Sequence, residues 1–194
     1  MKIQKAYPIE LMKKALKILG ISLLTLALLR GSIYRALINY TTIGTRPEIS
    51  ITNVALIDKI QKKSENRILD IYSIADIAEQ ITKEELEFTF SSASKDPNKL
   101  IGTKKANCVG YSAMFNSIAN YLIKVNTLSE EIVAQHKIAQ LDLLGFDLHQ
   151  LSDNPFYKDH DFNVVRNILT GESIVIDPSV SDFLSLVEYR SNKK

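Results

Sequence analysis

One stretch constrains this chain more than any other: Lys104 to Val125, where apolar residues at helical spacing begin at the only cysteine, Cys108. Asn107 is of a type that caps helix N-termini by accepting a hydrogen bond from the first turn. Cys108, Tyr111, Ser112, Phe115, Ala119 and Leu122 recur every three or four residues and so share one face. Asn116, Asn120 and Lys124 fall on another. The spacing predicts a helix with one inward stripe and the thiol in its first turn. Unpaired backbone N–H groups and the positive end of the helix dipole favour thiolate over thiol at that position. A sulfur so placed is a plausible nucleophile, to be weighed against the commoner role of a lone cysteine as a small buried filler.

Some fifty residues downstream, Asp159 to Ser179 holds two runs rich in Val and Ile on either side of Thr170-Gly171, the pattern of a β-hairpin. His160 opens the first strand and Asp177 closes the second, which Pro178 stops because proline cannot donate to the ladder. With Thr170-Gly171 as a two-residue loop, Leu169 faces Glu172 and Asp177 faces Val164. His160 lies four residues before Val164, so it shares a sheet face with Asp177. The two side chains are then offset along the sheet, and another loop of even length or strand twist is needed to join them.

A thiol needs a base or a cationic neighbour to become thiolate at neutral pH; histidine is the usual partner. A carboxylate fixes its tautomer and stabilises the imidazolium. Cys108, His160 and Asp177 supply these three roles. His136 and His149 are read as surface or structural.

Asn107-Cys-Val-Gly-Tyr-Ser-Ala-Met-Phe115 resembles the nucleophile motif of the transglutaminase-like superfamily. His160-Asp-Phe-Asn-Val-Val165 and Ile174-Val-Ile-Asp-Pro-Ser179 are similar to its histidine and aspartate strands. The order Cys, His, Asp also matches, over residues 65 to 185. Phe162 stands where the family often has Trp, a residue absent from this chain. The resemblance implies an α+β, papain-like core in which the nucleophile helix packs on an antiparallel sheet. It further implies Cys108 as nucleophile, His160 as base and then acid, and Asp177 as orienter. The expected chemistry is thiol-dependent acyl transfer on a protein or peptide amide: peptidase- or amidase-type hydrolysis, or cross-linking. The alternative is a non-catalytic binding or interaction module of the same family tethered at a membrane.

The N-terminus is of a different character. Lys2, Lys5, Lys13, Lys14 and Lys17, against Glu10 alone, precede the apolar run Ile18 to Leu29. That run is shorter than the ~20 residues of a span, and extends to Ile38 only if Arg30 and Arg35 snorkel. A membrane anchor or interfacial helix is expected, with a buried helix or cleaved signal as alternatives. The basic flank suits an anionic membrane surface, while the following domain is slightly acidic, which argues against nucleic acid as partner. Residues 1–45 are therefore read as helix plus linker, with Thr41 to Ser50 linker-like, and 46–190 as the transglutaminase-like domain.

Between linker and thiol, a short helix is expected over Ile51 to Lys62. A second would have Ile68, Ile71, Tyr72, Ala75, Ala78 and Ile81 on its core face. Thr82 is expected to cap a further turn, and Glu87 to Phe90 to form a short strand. Ser91 to Lys105 reads as a polar loop with a turn at Asp96-Pro97-Asn98. Leu128 to Phe146 reads as a helix, then a strand or turn, with Gly145 as a stop. Asp153-Asn154-Pro155 reads as a turn bordering a cleft. No zinc-like spacing, calcium loop or phosphate loop is present, so no metal or cofactor is expected.

Overall fold

The structure is a computed structural model; it describes residues 7–151, 159–183 and 190–191. The chain divides into two units, Met1–Ile38 and Asn39–Lys194. In the first, the described residues Tyr7–Leu37 form one continuous helix, α1. Its segment Glu10–Leu37 is long and apolar enough to cross a membrane. Arg30 does not interrupt it, and Leu11, Leu16, Leu19, Leu23 and Leu26 are all exposed.

The second unit is mixed helix and largely antiparallel sheet. It opens with β1 (Ile38–Thr45), so the stretch read as linker from Thr41 is in large part a strand. Then come α2 (Val54–Ser64), α3 (Ile71–Glu85), β2 (Glu87–Phe88), α4 (Pro97–Thr103), β3 (Lys105–Ala106) and α5 (Cys108–Val125). They are followed by β4 (Ile132–Leu143), β5 (Phe146–Asp147), β6 (His160–Asn167), β7 (Ser173–Ile176), α6 (Pro178–Phe183) and β8 (Arg190–Ser191). The main sheet runs β1-β4-β6-β7-β8, with β5 folded back on β4; β2 and β3 form a separate parallel pair. The pairs β4–β6, β6–β7 and β7–β8 are antiparallel.

At the centre is α5. Asn107 accepts from the Gly110 N–H, which fixes where the helix starts. The inward stripe is buried as the spacing predicts: Tyr111, Phe115, Ala119 and Leu122 are fully enclosed. Each such large side chain contributes about 1.5–3 kcal/mol. The second stripe differs from the expectation, because Asn116 and Asn120 are buried too. The reason is that α5 lies between α3 and the sheet strands β4 and β6. A polar side chain there needs partners. The Asn120 amide donates to Asn116 and to the Ala134 carbonyl of β4.

Other local expectations are corrected. Leu128 to Phe146 forms no helix. Ile132, Ala134 and His136 alternate into the core along one long strand, so the period is two. Leu144 and Gly145, both at positive φ, then turn the chain into β5. Asp96 caps α4 with Pro97 at its start, where a plain loop was expected. Thr82 lies inside α3 and donates to the Ala78 carbonyl; that helix is capped instead by the Asp70/Ser73 box. Ile68 precedes the cap and is exposed, and Tyr72 is largely exposed, so neither belongs to the core face. Ser191, read as tail, pairs with Ile174. The Asp153-Asn154-Pro155 turn lies outside the described residues.

Candidate active site

The hairpin determines what faces what. Its loop is four residues long, Ile168 to Gly171, closed by the Asn167 N–H donating to the Glu172 carbonyl. Asn167 Oδ1 accepts from Leu169 and Thr170, and Gly171 takes φ +75, a conformation glycine adopts without strain. Two extra loop residues preserve the parity of the strands but slide the register by two. Val164 therefore faces Val175, and Asn163 faces Ile176. Asp177 emerges one step further on, past the end of β7, beside His160 rather than offset from it. His160 Nε2 donates to Asp177 Oδ2 at 2.5 Å.

The same oxygen accepts a second hydrogen bond that sequence reasoning missed. Tyr40, on β1, donates its Oη to Asp177 Oδ2 at 2.6 Å. Its ring stands edge-on to His160 and Phe162, with centroids 5.6 and 5.3 Å away. The other carboxylate oxygen accepts from Ser179 Oγ and the Val180 N–H. Asp177 is thus buried but saturated with donors. Burial pushes its carboxyl up, yet the His160 charge and hydrogen bond, with Tyr40 and Val180, bring it below the ordinary carboxylate range.

His160 is driven toward its neutral form by burial. The charge and hydrogen bond of Asp177, then the hydrogen bond and charge of Cys108, outweigh this and hold the imidazole well above its ordinary value. Nε2 is taken up by the carboxylate, and Cys108 lies within electrostatic reach of the ring. Cys108 is the first residue of α5 and lies almost wholly out of solvent. The three residues predicted from sequence therefore meet at one place, from a helix start, a strand start and a strand end. Tyr111, from the same stretch as the thiol, is structural: its Oη donates to Asp182 at 2.5 Å.

A second charged group lies next to the first. Asp161, the neighbour of His160 on β6, is fully enclosed. His136 Nε2 meets its Oδ2 at 2.6 Å, and Arg46 binds it through Nε and through Nη2, the latter at 2.9 Å. The Arg46 N–H also donates to the His136 carbonyl. Burial alone pushes the Asp161 carboxyl up, but His136 and Arg46 lower it overall. Arg46 is also within electrostatic reach of Cys108. His136 is accordingly structural and buried, not a surface residue; the side chain of His149 lies outside the described residues. One signal pointed to this network: strand alternation puts Asp161 on the face opposite His160, and a carboxylate facing a core needs cationic partners. Nothing in the sequence marked Tyr40 or Arg46.

Among the described residues, no group of three or more His, Cys, Asp or Glu side chains is arranged to hold a metal ion. Comparison with protein-family models, curated proteins and solved structures finds no match.

Proposed function

We propose that this chain is a cysteine-dependent acyl-transfer enzyme of transglutaminase-like type, with a papain-like core, acting on the amide of a protein or peptide. The observation that carries the reading is the convergence of His160 on both Asp177 and Cys108, with the sulfur at the first residue of a buried helix. As a thiolate beside imidazolium, Cys108 Sγ attacks the amide carbonyl carbon; a C–S bond forms and the carbonyl electrons move to oxygen. In this reading the backbone N–H of Cys108, at the first residue of α5, donates to that oxyanion. On collapse the C–N bond breaks and His160 gives its proton to the leaving amine. His160 then takes a proton from water, whose oxygen attacks the thioester; C–S breaks, the acid leaves and the thiolate returns. Hydrolysis is preferred to cross-linking because no acyl-acceptor site is marked. The apolar helix α1, exposed from Glu10 to Arg30, supports membrane association as a single anchor or an interfacial helix.

The test is the rate of iodoacetamide alkylation of Cys108 against pH, in the wild type and in His160→Ala. The expected result is fast alkylation at neutral pH in the wild type that is lost in the variant. A slow thiol indifferent to His160 replaces this reading with a non-catalytic binding module.

A further inference from the structure

A small cavity of about 70 Å³ is lined by Arg46, Lys95, His136, Ile49, Val109 and Ala113, together with Pro47. Val109 follows Cys108 on α5 and Ala113 lies one turn on, so the cavity runs along the flank of the helix that carries the nucleophile. Its polar groups are all potential hydrogen-bond donors to an anion. Arg46 commits Nε and Nη2 to Asp161, and among the described residues Nη1 carries no hydrogen bond. That leaves three N–H donors, two of them on Nη1, on a guanidinium whose charge reaches Cys108. Lys95 makes no ion pair among the described residues. The acidic groups near Arg46 are Asp161, which is saturated by His136 and Arg46, and Asp159, which is exposed. Balanced against Asp161, Arg46 leaves the charge of Lys95 in excess, beside walls of Ile49, Val109 and Ala113 that keep the local dielectric low.

We propose that this cavity is a subsite for a carboxylate of the substrate, held by Arg46 Nη1 and Lys95, so that the amide attacked by Cys108 belongs to an acidic peptide. The volume fits a carboxylate with a methylene or two, the size of an aspartate or glutamate side chain. A planar carboxylate is what an open guanidinium edge recognises best, with the lysine as a point charge at the rim. The inference rests on the acyl-transfer reading above, and its test separates the two.

The full chain in neutral detergent micelles is alkylated with iodoacetate and with iodoacetamide, in wild type, Lys95→Glu and Lys99→Glu. The two reagents differ in charge and share a mechanism. Lys95→Glu is expected to lower the iodoacetate-to-iodoacetamide rate ratio about tenfold, as reversing a charge at the rim of the anion's site should. Lys99→Glu, the same charge change at an exposed position of α4, is expected to move it less than twofold. A ratio that shifts equally in both variants, or in neither, overturns the subsite while the iodoacetamide rate still reports on the thiol. Because an inert thiol defeats that assay, glutarate is also titrated into Cys108→Ala while the amide resonances of Val109 and Ala113 are followed by NMR. Saturable shifts that glutaramide does not produce, and that weaken about tenfold in Lys95→Glu, support the subsite. Their absence, or binding indifferent to Lys95, overturns it.

Discussion

Tyr40 gives the sharpest quantitative test of the site. In Tyr40→Phe the ring remains to pack edge-on against His160 and Phe162, and the Oη–Asp177 hydrogen bond at 2.6 Å is removed. A hydrogen bond to a charged group contributes about 1.5–3 kcal/mol. Asp177 is 3% exposed, so water cannot readily replace the lost donor. It keeps His160, Ser179 and the Val180 N–H, which places the expected loss near the middle of that range, at about 2 kcal/mol. With a urea m-value of about 1–3 kcal/mol/M, the midpoint falls by about 1 M. The chain has no Trp, so far-UV circular dichroism is the probe. Tyr121→Phe is the control: its Oη accepts only an exposed 3.2 Å bond from Gln61, and a change below about 0.5 kcal/mol is expected. The pH dependence is a further check. The carboxyl of Asp177 is depressed in the folded state, so its contribution is present above the unfolded value of about 3.9 and is lost as pH falls through the lower folded one. The wild-type advantage over Tyr40→Phe should therefore be flat from pH 7 to 5 and shrink only in stronger acid. A midpoint change no larger than that of Tyr121→Phe would refute the assignment of Tyr40 as a donor to the buried carboxylate.

Four other outcomes are expected. In Asp177→Asn the main influence raising His160 is lost while burial remains; the ring, charged at pH 7 in the wild type, should be neutral there, as read from its NMR C–H shifts. By the same linkage, the stability supplied by His160 is complete below about pH 6.5 and fades as pH rises through its higher folded value, so the wild-type urea midpoint should fall on the alkaline side. Gly110→Ala puts a methyl 2.8 Å from Ala106 Cβ and 2.9 Å from the Ser94 carbonyl, so thermal denaturation should show a loss of about 1–3 kcal/mol and alkylation of Cys108 should slow. Arg46→Gln removes the guanidinium from the enclosed Asp161 and leaves His136 as its remaining side-chain partner among the described residues, and chemical denaturation should show a loss of about 3–5 kcal/mol.

What the sequence revealed follows from which interactions are local. The start of α5 was legible because a cap and an inward stripe are both written within a few residues of Cys108. The parity of His160 and Asp177 was legible too, since sheet faces repeat every two residues whatever the loop. The register was not: a Thr-Gly pair at the centre of a hairpin pointed to a two-residue turn, and the Asn167 side chain instead holds a four-residue one. The long strand β4 was missed because Ile132, Ile138, Leu141 and Leu144 mimic helical spacing, while the alternation that buries Ala134 and His136 uses residues of weak hydropathy. Tyr40 and Arg46 were beyond reach for a different reason. Their partners, Asp177 and Asp161, lie more than a hundred residues away in the chain, and such pairings are decided by strand order.

The lack of a spacer between α1 and β1 has a practical meaning. Leu37 is the last residue of the apolar helix, and only Ile38 and Asn39 separate it from Tyr40. A cut made to remove α1 therefore has almost no latitude. Trimming through residue 45 removes the phenol that supports Asp177 and leaves Arg46 bearing a new charged terminus beside Asp161. Trimming only through Leu37 keeps both. Cleavage sites, flexible inserts and substitute anchors can be accommodated on the helix's side of Ile38, and the same changes a few residues later would dismantle the candidate site from its first strand.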